Sequence, residues 1–421
     1  MTQALERITL DSLSESLRGF YVPEFTVLVE GAGLPDDVMR DVIQVTYDDD
    51  LEKMDTFQIT VSNWDEVNKQ YKYIGSEDAA ALEAGDAGQS ETGSEQTRRY
   101  QLFEPCSKKV TVKMGYAGDK KTMINGYFTT MEPSFNANGA ATLTVRGINA
   151  MQRLRTKKYN DFYENQKPSE IVGAIRARVD QDLNALRFPI DVSVSQQALE
   201  NERSIVRIAQ KNEYDIDFMW KLARRYGYLL RMEEPEQEGD DPNIYFGPSQ
   251  QGDALINAVY ELKLNQSLIE FNPRITTANQ FKSVTVNGWN RDKQEMISET
   301  VSFEDEEMKE INTDLHYLLC MCDAREELVV DEPVFNEAQA KDRAKALLLD
   351  QQKQMVTVSA TTVGLPLLKA GTKVRIAEVG ERLSGEYFVT KTQHIFNDSG
   401  YITKFDARRE NMSNPRDVPE C

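Results

Sequence analysis

The stretch from Met355 to Arg409, MVTVSATTVGLPLLKAGTKVRIAEVGERLSGEYFVTKTQHIFNDSGYITKFDARR, is a series of short runs broken by glycines. In Val356-Thr357-Val358-Ser359-Ala360 and Thr372-Lys373-Val374-Arg375-Ile376 polar and apolar residues alternate strictly. A period of two gives a strand with one wet face and one dry face. Gly364, Gly371, Gly385 and Gly400 fall between the runs, where a chain that turns back needs a residue without a Cβ. Strands at roughly 8–12-residue spacing predict a small barrel or sandwich. An earlier stretch repeats the plan: Lys109-Val110-Thr111-Val112-Lys113, then INGYFTT from Ile124, then NANGAATLTVRG from Asn136. Gly126-Tyr127-Phe128-Thr129-Thr130 matches Gly385-Glu386-Tyr387-Phe388-Val389-Thr390, and Asn138-Gly139 stands where Ser399-Gly400 stands later. Gly126, Gly139, Gly364, Gly371, Gly385 and Gly400 are therefore expected to be the fold-signature turns of two related β-modules.

The chain has 421 residues and a net charge of −20, which argues against nucleic acid as a main partner because phosphate binding needs clustered Lys and Arg. The basic run Arg153-Leu154-Arg155-Thr156-Lys157-Lys158 reads as a solvated helix end or the dock of an acidic partner. No apolar run approaches the roughly 20 residues that cross a bilayer, and MTQALERITLDSLSESLRGF has no basic start followed by an apolar core. Synthesis and assembly in the cytoplasm are the expectation.

Five segments are expected. Residues 1–19 form an N-terminal segment, and 20–149 a first β-barrel module interrupted by the Gly/Ser/Glu/Ala-rich loop at about 75–98. An α+β section spans 150–270. A second β-barrel module spans 271–410, with a helical insertion at about 303–353, and 411–421 is a tail. Within the middle section Ile171, Ile175, Val179, Leu183 and Leu186 recur at helical spacing behind Ser169 as N-cap. Ile216, Met219, Trp220 and Ala223 form a second stripe that Gly227 ends. Lys282 to Trp289 is expected to resume the barrel, and Asn336 to cap a helix from Glu337 to Lys353.

Chemistry-bearing constellations are sparse. Asp48-Asp49-Asp50 lacks the alternating carboxylates, central glycine and closing glutamate of a calcium loop, so a solvated turn is expected. His316 and His394 are the two histidines, too few for an imidazole zinc site. Cys106, Cys320, Cys322 and Cys421 make no framework. No nucleophile elbow, phosphate loop or dinucleotide fingerprint occurs. No catalytic, cofactor-binding or metal-binding residue is assigned. Aromatic residues such as Tyr127, Phe128, Tyr387, Phe388 and Tyr401 are expected to fill module interiors.

Four collinear segments carry a resemblance. They are PEFTVLVEGAGLPDDVMRDVIQVTYDDDLEKMDTFQITVSNWD from Pro23, LTVRGINAMQRLRTKKYNDFYENQKPSEIVGAI from Leu143, ENERSIVRIAQKNEYDIDFMWKLARRYGYLLRM from Glu200 and GLPLLKAGTKVRIAEVGERLSGEYFVTKTQHIFNDSGYITKFDARRE from Gly364. Together they resemble the phage late control protein D family, the tail hubs of contractile phage tails and the hub half of type VI secretion spikes. The resemblance implies an α+β chain with two related β-barrel modules, three copies of which form a pseudo-six-fold ring. It implies a structural baseplate protein, not an enzyme, joining the hexameric inner tube to a trimeric spike, with other baseplate components as further partners. Type VI spikes carry a spike-base barrel and β-helix after the hub. The sequence to Cys421 has neither, so a separate spike protein is expected. A cell-wall hydrolase of the same particle and a β-barrel carbohydrate-binding adhesin are the alternatives.

Overall fold

The computed structural model describes residues 7–9, 22–67, 69–74, 102–105, 108–135, 140–180, 185–186, 190–194, 199–200, 202–235, 242–248, 259–278, 280–290, 293–305, 308, 325–330, 334–380 and 382–409. The loop expected at 75–98, Gly139, His316, the four cysteines and the tail from 411 lie outside the described residues.

The chain is mostly β. A short strand at Arg7–Thr9 lies parallel to the later segment Val259–Lys263 at one end of the large sheet. The main strands of the first half follow: β1 (Pro23–Val29), β2 (Val42–Asp50), β3 (Thr56–Ser62), β4 (Lys109–Tyr116), β5 (Asp119–Ser134) and β6 (Thr142–Asn149). They lie in the order β1-β4-β5-β6-β3-β2, each neighbour antiparallel. Alternation sets the inner face. Val27 and Val29 of β1, Val45 and Tyr47 of β2, Phe57, Ile59 and Val61 of β3, Val110 and Val112 of β4, Ile124 and Phe128 of β5, and Leu143 and Val145 of β6 share one buried cluster. A short helix α1 (Asp36–Asp41) adds Val38 to it.

Between the two halves of the sheet lies an α+β section. Strand β7 (Lys158–Gln166) pairs antiparallel with β9 (Ile205–Tyr214). Strands β8 (Asp191–Val194), β10 (Tyr228–Glu233) and β11 (Asn243–Pro248) form a small sheet of their own. Helices α2 (Pro168–Arg176) and α3 (Asp215–Tyr226) pack on it, and Gly227 ends α3 at φ +67 as its left-handed cap. Two local expectations fail. Ser169 lies inside α2, buried and donating its hydroxyl to Glu202 at 2.5 Å. The helix also ends at Arg176, short of Leu186. Val179 and Leu186 are instead register partners in a short antiparallel strand pair.

The remaining strands are β12 (Val259–Lys263), β13 (Leu268–Ile275), β14 (Phe281–Asn290), β15 (Glu295–Ser302) and β16 (Arg325–Val329). After helix α4 (Glu337–Lys353) come β17 (Val356–Val363), β18 (Lys373–Ala377), β19 (Gly385–Asn397) and β20 (Gly400–Arg408). The side chain of Asn336 caps α4 by accepting from the amide of Gln339 at 2.8 Å. Lys282 to Trp289 does not resume the large sheet. Strand β14 builds a separate sheet with β15 and β16, which packs Val284, Val286, Ile297 and Val301 around Ala340, Ala344 and Leu348 of α4.

The second half of the large sheet runs β12-β18-β19-β20-β17-β13. That order, strand for strand along the chain, is the order of the first half. The registers agree as well. Lys109 and Val110 face Tyr127 and Gly126, as Lys373 and Val374 face Phe388 and Tyr387. A bulge leaves Thr129 unpaired between Phe128 and Thr130, and another leaves Thr390 unpaired between Val389 and Lys391. A third sets Ile43 aside in β2, and a fourth sets Ile269 aside in β13. Such bulges are placed features that bend a strand, and here they recur in pairs. One pairing departs: β12 lies parallel to β18, whereas β1 is antiparallel to β4.

Within the described residues neither half closes into the expected barrel. Among the described residues β1 and β2 do not pair, because the outer edge of β2 is occupied by β19 of the second half.

Candidate functional site

The contact between β19 and β2 joins the two halves into one sheet. Strand β19 is long enough to have two neighbours on one edge. Gly385–Phe388 pair with β18, and Lys391–Asn397 pair with Asp50–Gln44 of β2. The seam is closed by side chains. Phe396 meets Phe25 of β1 edge to face, centroids 4.8 Å apart, and Tyr401 of β20 belongs to the first half's buried cluster. His394, fully buried, faces Tyr47 across the seam. Its Nε2 lies 2.9 Å from the Leu368 carbonyl and its Nδ1 2.8 Å from the Tyr401 hydroxyl. Burial pushes the imidazole down to about 3, so the ring is neutral at neutral pH and Nε2–H is the natural donor to the carbonyl.

Aspartates expected in a solvated turn are part of this seam. Gln393 donates to Asp48 at 2.8 Å. Asp49 is buried and accepts the Ala370 amide at 2.8 Å. Asp55, also buried, accepts from Asn149 at 3.0 Å. Glu234, following β10, takes the amide and side chain of Asn125. Burial raises all three carboxyls; for Asp55 the neighbouring Asp49 charge raises it further. Arg231 donates to the Ala370 carbonyl at 3.1 Å and Glu233 at 2.8 Å, tying the middle section to the same corner. These groups are buried and hydrogen-bonded to structural partners, an arrangement that rigidifies a corner. Among the described residues no group of three or more His, Cys, Asp or Glu is placed to hold a metal ion, and no helix is long and apolar enough to cross a membrane.

The glycines expected as turns have varied settings. Gly371, Gly385 and Gly400 have φ of +88, +148 and +117, a region that favours glycine. Gly364 leads out of β17, where an added Cβ would lie 2.1 Å from the Tyr401 ring. Gly126 sits inside β5, and its Cβ would lie 2.2 Å from the Ile148 carbonyl oxygen. The seam itself was missed from sequence. The signal available was Phe396 and Tyr401, two large aromatics on either side of the Asn397–Gly400 turn.

The outer edges of β5 and β13 hold the positions that correspond to the seam. Glu132, Pro133, Ser134 and Phe135 are exposed there, as are Ile269, Glu270, Asn272, Arg274 and Ile275.

The fold recurs in solved structures. A 43 kDa tail protein of prophage MuSo2 from Shewanella oneidensis aligns over 92% of this chain and 98% of its own, with TM-score 0.61 and 17% identity. A tail protein from Neisseria meningitidis MC58 aligns over 93% and 97%, with TM-score 0.60 and 13% identity. The E. coli c3393 protein is a component of the type VI secretion system with structural similarity to the T4 bacteriophage tail proteins gp27 and gp5. It aligns over 93% and 80%, with TM-score 0.52 and 12% identity. At such identities the likeness is one of fold. No curated protein matches the sequence. The family model described as the Alg8 N-terminal domain matches residues 79–398, more than half of the chain, and the chain belongs to that family.

Proposed function

We propose that this chain is a structural hub of a contractile phage tail or contractile injection system, joining the hexameric inner tube to a separate trimeric spike as a homotrimer. The observation that carries the proposal is the internal repeat: two half-sheets with one strand order and paired bulges, already joined side by side through β2 and β19. A chain holding two copies of one module lets three chains present six equivalent surfaces to a tube and three to a spike. The tail and type VI proteins that share its fold support the particle context. The role is mechanical, and the buried carboxylates of the seam serve packing. Assembly in a bacterial cytoplasm, followed by incorporation into the particle, fits this role.

Mixing the purified protein with candidate tube and spike proteins tests the proposal. Ternary complexes holding three copies of this chain are expected, with no turnover of peptidoglycan or model glycosides. Hydrolysis, or saturable glycan binding by isolated single chains, would replace the hub by one of its rivals.

A further inference from the structure

We infer that the outer edge of β5, from Thr130 to Phe135, docks on the outer edge of β13, from Phe271 to Thr276, of a second copy of this chain, in the register of the β19–β2 seam. The inference rests on the homotrimer reading above and adds the contact that closes it.

The paired bulges transfer the register. Setting Thr129 on Thr390 places Thr130, Glu132 and Phe135 where Lys391, Gln393 and Phe396 stand. Setting Ile269 on Ile43 places Phe271, Pro273 and Arg274 where Val45, Tyr47 and Asp48 stand. The seam pairs Gln393 with Asp48, His394 with Tyr47 and Phe396 with Val45. Between copies the same register brings Glu132 opposite Arg274, Pro133 opposite Pro273 and Phe135 opposite Phe271.

Three observations favour this occupant. The first is burial: His394, Val45 and Tyr47 are buried, whereas Pro133 and Phe135 are exposed and Phe271 is half-exposed. Phe135 is 57% exposed even though its ring meets Tyr71 edge to face, centroids 5.2 Å apart, apolar area that a neighbour would cover. The second is charge: Glu132 already takes Arg146 of its own chain at 3.2 Å, and the register sets the cation of Arg274 directly opposite it as a second partner. The third is backbone direction. Thr276 donates to the Met355 carbonyl, so the amide groups of Arg274 and Asn272 also face β17, and those of Phe271 and Ile275 face outward. Asn63 donates to the Ala141 carbonyl, so Leu143 and Val145 face β3, leaving Met131 and Phe135 of β5 facing outward.

The central pair differs from its counterpart. Pro133 and Pro273 bring no N–H to the positions where His394 and Tyr47 stand in the seam. Prolines on exposed edges block indiscriminate strand pairing. The contact between copies is therefore the weaker of the two, forming after each chain has folded.

Cysteine pairing tests the register, in a background with the four native cysteines replaced by serine. Glu132 and Arg274 would form a pair without mutual hydrogen bonds, in which the Cα atoms approach to about 4.5 Å, close enough for a disulfide. E132C/R274C should oxidise to covalent dimers and trimers with a mapped 132–274 link, and neither single variant should. D48C/Q393C, the same geometry within one chain, should close without a change of mass. Independently, E132R or R274E alone should weaken self-association about fivefold, and E132R/R274E together should restore it. Trimers that form without the 132–274 link and ignore both charge reversals would overturn this register and leave the hub reading standing. Chains that stay single under all conditions would overturn both.

Discussion

Strands β19 and β2 pair with each other, whereas β5 and β13, their counterparts in the repeat, pair with no strand along the matching edge among the described residues. Strand order, bulges and register are shared; side chains differ. Where the halves meet, the sequence supplies a buried histidine, an aspartate and aromatic rings. Where they do not, it supplies an exposed proline and a half-buried one, a glutamate and an arginine. A duplicated module can thus keep its backbone plan while one edge specialises for permanent contact and the other for reversible contact.

The sharpest way to break the comparison is to remove Tyr401, which belongs to β20 and packs in the first half's cluster. Tyr401→Ala should cost about 3–5 kcal/mol, read as a lowered urea midpoint. Loss confined to the second half would show that the seam is not a shared unit. Gly364→Ala comes next: its Cβ would strike the Tyr401 ring, an overpacking effect of about 1–3 kcal/mol. At Gly400 there is open space, so Gly400→Ala meets only the positive φ, about 1 kcal/mol. Equal losses at the two sites would deny the close approach at Gly364.

The seam should also be visible in pH. His394 has a folded value near 3 against an ordinary 6.5. Between those values the unfolded chain binds a proton that the folded one refuses, so stability contributed by the neutral ring is complete above about 6.5 and declines toward 3. The slope is at most about 1.4 kcal/mol per pH unit. The raised carboxyls of Asp49, Asp55 and Glu234 act in the opposite sense, favouring the fold on the acid side. Comparing His394→Gln with the parent isolates the histidine: the variant should lose less stability on acidification across that window. An unchanged slope would mean that the ring is protonated or exposed when folded. The smallest effect should come from Arg203→Ala, which breaks an exposed 2.8 Å bridge to Asp342. There about 0–0.5 kcal/mol is expected, without change in self-association.

Much of the repeat was legible in the sequence because period-two alternation and glycine spacing are local signals. KVTV and KVRI lie in matching registers, whereas the glycines of the GYFTT and GEYFVT runs do not: Gly126 stands where Tyr387 stands, and Tyr127 where Phe388 stands. The helix from Glu337 to Lys353 was legible from its Asn336 cap. What escaped depends on long-range contact. Alternation made Lys282 to Trp289 a strand but could not say which sheet it would join. Asp49 resembled a solvated turn because nothing nearby announces Ala370, its partner far along the chain. The open edge of each half also depends on contact: β19 takes the edge that closure of the first would need, and Arg7–Thr9 lies along β12 of the second.

Native mass spectrometry of the purified protein, alone and with a spike partner, tests the central claim most directly. A species at three times the 48.0 kDa chain mass is the predicted result. A single-chain mass that persists with tube and spike proteins present would contradict it.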